Sequence, residues 1–303
     1  MTSDRTPPSR RGILAAGSGA TLAAALATGG TARACSPGEF EVRLRDLERR
    51  HGARLGVHAR DTGTGRTVRH RAHERFPLCS LFKTPAVAAV LRDLDRDGEF
   101  LARRIRYTEQ QVRDSGYAPV TGLPQHLADG MTVAGLCAAA ISSSDNAAAN
   151  LLLEALGGPA AATRFCRSLG DPATRLDRWE PALNSAEPWR TTDTTTPEAI
   201  GETYAQLVLG TALEPADRTR LTGWLLATTT GAARLRAGLP AGWSVADKTG
   251  SGKFGTGHDV AVVRPPGRAP LVLAVLTTKP LRDAPPDEAL IAETAALLAA
   301  ALG

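Results

Sequence analysis

Lysine is nearly missing from this 303-residue chain: of 36 basic residues, only Lys83, Lys248, Lys253 and Lys279 are lysines. A chain that otherwise writes arginine has a chemical reason to keep a lysine. A buried lysine can lose its proton near neutral pH, and an arginine in effect cannot. Cysteine is also scarce, and Cys35, Cys79, Cys137 and Cys166 show no CxxC or Cys/His metal spacing. His70 and His73 form an HxxH without a third ligand nearby, so no metal and no other cofactor is expected. Aromatics make up only 4% of residues, a bias of composition rather than a functional signal. The weakly apolar stretch from Ile13 to about Thr28 is short and broken by Gly17, Ser18, Gly19 and Thr21, which argues against a membrane span. Excess charge is missing too. Much of the net +5 comes from Arg5, Arg10, Arg11 and Arg33 against Asp4, leaving 32 positive and 30 negative residues after position 34. That balance argues against nucleic acid as a partner.

The first 34 residues read instead as an export signal. Ser9-Arg10-Arg11-Gly12-Ile13-Leu14 is a twin-arginine pattern, and Ala32-Arg33-Ala34 offers a small-x-small cleavage site. A secreted or periplasmic monomer is expected, with lipidation of Cys35 as an alternative. Beyond the signal, Ala53–Arg71 alternates and turns at Asp61-Thr62-Gly63-Thr64-Gly65, which predicts a β-hairpin. Pro85 to Ile200 is mostly helical in pattern, with helices over Met131–Ala140 and Asn146–Leu156 and a stop at Gly157-Gly158-Pro159. Arg175–Thr196 is polar and aperiodic, a loop too long to be an idle connection. Strands return at Trp243–Lys248, His258–Val263 and Leu271–Thr277, and Asp287–Leu302 closes the chain as a capped helix. The expected fold is therefore α+β: an antiparallel sheet formed by both termini and flanked by helices, plus an inserted all-α domain, with the site between them. The segments are 35–77 with 227–303 for the α/β domain and 78–226 for the helical one.

Three short runs carry the chemistry. Ser80 and Lys83 are three apart, so on a helix they share a face. At a helix start the serine has backbone donors and a proton acceptor beside it, as attack on a carbonyl requires. Pro85 places that helix start at or just after Ser80. Ser144-Asp145-Asn146 lies between two helical segments, where a short loop could project a hydroxyl and an amide into a cleft or simply cap the second helix. Lys248-Thr249-Gly250 ends a strand and leads into Ser251-Gly252. Each run alone has a structural explanation. All three in this order, at separations of 64 and 104 residues, are far more specific.

From about Ala53 onward the chain resembles the class A serine β-lactamases. Besides the three runs, Arg175-Leu176-Asp177-Arg178-Trp179-Glu180-Pro181-Ala182-Leu183-Asn184 is similar to that family's Ω-loop, here 175–196. Tyr117-Ala118-Pro119-Val120, Asp129-Gly130-Met131-Thr132-Val133 and Gly157-Gly158-Pro159 also match. The resemblance implies hydrolysis of the β-lactam amide of penicillins, and of some cephalosporins, through a serine acyl-enzyme. It implies Ser80 as nucleophile, Lys83 as a proton acceptor, and Glu180 and Asn184 as holders of the deacylating water. Ser144 would pass a proton to the departing nitrogen, and Asn146 would bind the substrate's side-chain amide. Lys248, Thr249 and Ser251 would face the substrate carboxylate, with Tyr117 at the entrance and the N–H groups of Ser80 and Ser251 as oxyanion hole. Arg178 and Asp193 match a pair that pins the loop. Many relatives carry a carboxylate-binding arginine where Gly257 stands, and Arg234 matches the arginine some use instead. The cysteine pairs of other relatives are absent, since Cys79 would need a partner at Gly252 and Cys137 one at Val87. A DD-peptidase or a covalent β-lactam sensor would share the three runs. Glu180 with Asn184 argues against the first, and the lack of a span or signalling segment after the export signal argues against the second.

Overall fold

The computed structural model describes residues 37–303, so the twin-arginine leader, its cleavage site and Cys35 lie outside the described residues. The chain enters through helix α1 (Pro37–His51) and strands β1 (Arg54–Asp61) and β2 (Thr67–His70). The turn between the strands closes on Asp61, whose Oδ1 accepts the N–H groups of Gly63 (2.8 Å) and Thr64 (3.2 Å). Six longer helices follow: α2 (Lys83–Ala89), α3 (Val133–Ser142), α4 (Asn146–Ala155), α5 (Pro159–Ser168), α6 (Pro197–Val208) and α7 (Pro215–Leu226). Strands β3 (Ser244–Ser251), β4 (Gly257–Arg264) and β5 (Leu271–Thr278) then lead to α8 (Glu288–Leu302). Caps sit where the sequence offers them. Thr132, Asp145 and Asp287 accept the N–H groups of Gly135, Ala148 and Leu290.

The sheet has the order β2-β1-β5-β4-β3, antiparallel throughout. β1 lies against β5 in register from Arg54↔Thr278 to Asp61↔Leu271, so both ends of the chain build one sheet. Both of its faces are covered. Val57, Val263, Leu273 and Val275 pack with Leu44, Leu47, Ile291 and Leu298 of the terminal helices. Ala246, Val260, Val262, Ala274 and Leu276 pack on the other side with Phe82, Leu136, Leu152 and Tyr204. Burial on both faces explains why Leu271–Thr277 reads as a continuous apolar run instead of alternating. Each leucine so buried contributes about 1.5–3 kcal/mol.

The helix predicted over Met131–Ala140 runs instead over Val133–Ser142, and β3 differs from the sequence reading at its end. β3 does not end at the Lys248-Thr249-Gly250 run; it continues to Ser251, which pairs with Gly257. The glycines there serve close approach. A Cβ on Gly250 would lie 3.3 Å from Cys79 Cβ, and one on Gly252 would lie 2.8 Å from the Asn184 carbonyl and 2.9 Å from Cys79 Sγ. The strand end therefore presses on the turn that carries Ser80. No described helix is long and apolar enough to cross a membrane.

Candidate active site

Ser80 sits on a 3₁₀ turn, Cys79–Phe82, directly before α2. Cys79 holds a positive φ of 45°, and the buried Tyr204 hydroxyl donates to the Leu81 carbonyl at 3.2 Å. Pro85 falls within the first turn of α2, where its missing N–H costs nothing. Ser144 also has a positive φ, 56°. Non-glycine residues in this region concentrate where a side chain is being aimed. The Asp145 carboxylate holds that loop in place. It caps α4 and also accepts the N–H groups of Val120 (3.0 Å) and Thr121 (2.9 Å) and the Thr121 hydroxyl (2.8 Å). Asn146 N–H donates to the Tyr117 carbonyl at 2.8 Å, which ties the segment bearing Tyr117 to the same point.

These elements enclose a cleft of about 350 Å³ lined by Ser80, Tyr117, Ser144, Asn146, Asn184, Thr230, Arg234, Thr249 and Ser251. Lys83, Glu180 and Lys248 are buried beneath it. All eleven residues singled out from the sequence thus meet at one place. A second cleft of about 360 Å³, beside Asp171 and Glu198, offers neither a serine nor a lysine.

Proton carriers form a continuous path. Ser80 Oγ lies 3.4 Å from Glu180 Oε1, and the same oxygen is 3.1 Å from Lys83 Nζ. Lys83 Nζ also donates to Asn146 Oδ1 (2.6 Å) and the Ser144 carbonyl (2.8 Å), and reaches Ser144 Oγ at 3.4 Å. Lys248 Nζ approaches Ser144 Oγ from the other side at 2.9 Å. Both ammonium groups are fully buried. Burial pulls Lys83 below the ordinary lysine range, opposed by Glu180. Burial and then the nearby Lys83 charge pull Lys248 well down. Arginine could not provide such groups.

Glu180 is positioned by Asn184 and by a residue that the sequence did not reveal. Asn150, on α4, donates to the Glu180 carbonyl (2.9 Å) and accepts its N–H (3.1 Å). It reads in the sequence as an ordinary helix-surface amide, and no pattern marks it. Asn184 Nδ2 donates to Glu180 Oε2, while Asn184 Oδ1 is buried without a protein partner. The Ω-loop closes through Arg175↔Thr194 and is pinned at Asp193. The Asp193 carboxylate accepts Arg178 Nε (2.6 Å) and the N–H groups of Asp177 (2.8 Å) and Arg178 (2.9 Å). Asp193→Ala leaves those donors unpaired and should cost about 2–4 kcal/mol of stability, read from urea unfolding. A loss below about 1 kcal/mol would show that the pin is idle.

The opposite wall suits an anion. Arg234 Nη1 donates to the carbonyls of Gly250 (2.9 Å) and His258 (2.8 Å), and Nη2 donates to Ser251 Oγ (2.8 Å). Its Nε lies 3.3 Å from Glu288 Oε1. Thr249 Oγ1 is 2.6 Å from Thr230 Oγ1, so Thr230 completes this wall. In the sequence Thr230 ends a run of three threonines and carries no other signal. At Gly257 a Cβ would stand in tight contact, 3.2 Å from Pro286 Cβ, and the guanidinium on this wall is that of Arg234. Cys79, Cys137 and Cys166 are buried free thiols, and burial raises the Cys166 thiol to about 12. Among the described residues no His/Cys/Asp/Glu group could hold a metal.

Known proteins share this arrangement. The profile of the β-lactamase enzyme family matches residues 39–302. A β-lactamase of Streptomyces lavendulae is 66% identical over 298 residues, 98% of each chain. The solved β-lactamase of Streptomyces albus G superposes with a TM-score of 0.86 at 62% identity, covering 87% of this chain and 99% of the other. An ancestral class A β-lactamase superposes with a TM-score of 0.81 at 55% identity, covering 86% and 98%. The chain belongs to the class A β-lactamases. As such it is a β-lactam hydrolase, opening the lactam amide through a serine acyl-enzyme and conferring resistance. In the cleft, Ser80 Oγ lies beside the Glu180 carboxylate, which in turn contacts Lys83.

Proposed function

We propose that Ser80 attacks the lactam carbonyl while its proton passes to the Lys83–Glu180 pair, and that Glu180 then drives a water onto the ester. The observation that carries this reading is that one carboxylate oxygen, Glu180 Oε1, lies within reach of both Ser80 Oγ and Lys83 Nζ. A base shared by nucleophile and lysine can serve both halves of the reaction. The Asn184 amide, bound to the other Glu180 oxygen, orients that water. Ser144, between Lys83 and Lys248, returns a proton to the departing nitrogen. Asn146 receives the substrate's side-chain amide, and Tyr117 borders the mouth. Arg234, Lys248, Thr249 and Ser251, with Thr230 added, hold the substrate carboxylate. The N–H groups of Ser80 and Ser251 stabilise the oxyanion.

The preferred substrates on this reading are penicillins, then cephalosporins. The two lobes are residues 35–77 with 227–303 and residues 78–226. The enzyme acts as a monomer exported through its twin-arginine leader. Purified protein mixed with benzylpenicillin should turn over many equivalents and leave a D-Ala-D-Ala peptide untouched. Stoichiometric acylation without turnover, or faster cleavage of the peptide, would overturn the assignment.

A further inference from the structure

Two carboxyl groups that take no part in the chemistry above lie buried behind β3. Asp247 on β3 and Asp259 on β4 are both 0% exposed. Their registers are Asp247↔Ala261 and Thr249↔Asp259, so they are diagonal neighbours on one face of the sheet. That is the face packed by the terminal helices, where Ala261 belongs to the core. Each group is only half satisfied. Asp247 Oδ1 accepts Arg236 Nε at 2.7 Å, but its Oδ2 has no donor. Asp259 Oδ2 accepts the Leu235 N–H at 3.1 Å, but its Oδ1 has no donor. Two buried, adjacent carboxylates, each with an oxygen that no N–H or O–H reaches, cannot both stay ionised. A proton held on one of them removes one of the two buried charges.

The surroundings say which group carries it. Asp247 has the Arg236 guanidinium in direct contact and lies next to Lys248. Asp259 has one backbone N–H and feels Arg234 and Lys248 without an ion pair to either. Burial and the Asp247 charge push the Asp259 carboxyl well above the usual range.

We propose that Asp259 stands as a neutral carboxylic acid near the Asp247 carboxylate, and that it acts as a positioning residue for Arg234. Arg234 immediately precedes Leu235, whose N–H Asp259 holds, so the acid fixes the turn that aims the guanidinium into the cleft. Because it is uncharged, it does so without adding a buried anion under the guanidinium. The carboxylate that pairs with Arg234 is Glu288, nearly half exposed and so screened by solvent. The cation thus remains available to an anionic substrate.

The consequence for Arg234 rests on the reading of the cleft given above; the existence of the proton does not. Infrared difference spectra of the wild-type enzyme at neutral pH should show the carbonyl stretch of a protonated carboxylic acid, shifted by ¹³C-aspartate labelling. Asp259→Asn, whose uncharged amide can still accept from Leu235, should abolish that band and keep kcat and KM for benzylpenicillin within about twofold. Asp259→Ala should raise KM at least tenfold with a smaller change in kcat. No aspartic-acid band in the wild type, a band that survives in Asp259→Asn, or a tenfold loss of kcat/KM in a folded Asp259→Asn would each overturn the proposal. Should Asp259→Asn not fold, the labelled wild-type spectrum decides alone. Arg234→Ala separates the two readings. An unchanged KM there would remove Arg234 from carboxylate binding while leaving the protonated Asp259 standing.

Discussion

Glu180→Ala enzyme exposed to benzylpenicillin gains the mass of one drug molecule on Ser80 and keeps it. Wild-type enzyme shows that adduct only in passing. The expectation follows from the two contacts of Glu180 Oε1, with Ser80 Oγ at 3.4 Å and Lys83 Nζ at 3.1 Å. On the proposed mechanism the serine proton can still pass to Lys83, whereas no aspartate or glutamate lines the cleft to activate a water in Glu180's place. Loss of a positioned base costs about 10²–10⁴-fold, so turnover should fall by that order while acylation continues. Intact-protein mass spectrometry over minutes reads the result. Turnover within tenfold of wild type would sink the role. An enzyme that neither acylates nor turns over would make Glu180 the base of both steps, which the sequence alone left undecided.

Lys83→Arg should be almost as damaging, although it preserves the charge. Lys83 is fully buried between Glu180, Asn146 and Ser144, and burial has already weakened its hold on the proton. Arginine cannot release a proton near neutral pH. Acylation of Ser80 should slow by about 10²–10⁴-fold, measured by stopped-flow under single-turnover conditions. The larger side chain could also crowd the pocket, so Lys83→Cys alkylated to an aminoethyl thioether provides the control. It restores an amine of lysine length and should recover part of the rate. If Lys83→Arg acylates within tenfold of wild type, the lysine is there for charge alone.

Legibility in the sequence followed the kind of constraint each residue obeys. Ser80, Lys83 and Lys248 stood out because their chemistry needs particular side chains in a composition that avoids lysine. The sheet was legible because strands covered on both faces must be apolar along their length, as Leu271–Thr277 is. Glu180 was legible only by resemblance to known Ω-loops, since an aperiodic loop gives no rule for choosing one carboxylate. Asn150 stayed hidden because its task is to hold a backbone across 30 residues, and no local pattern records that. Asp247 and Asp259 gave no signal of burial. Alternation along a strand tells which face a residue is on, but not what covers that face. The glycines after Lys248 answer a demand that no local pattern records, the close approach of Cys79 and Asn184.

The pairing of β1 with β5 has an effect on how the enzyme comes into being. A ribosome makes the Ser80 turn early, but the partner of β1 emerges only after Leu271. Until then β1 has one neighbour, β2, and the strand that carries Lys248 has no path back to the N-terminal segment. A nascent polypeptide therefore cannot join the two ends of this sheet until β5 has left the ribosome.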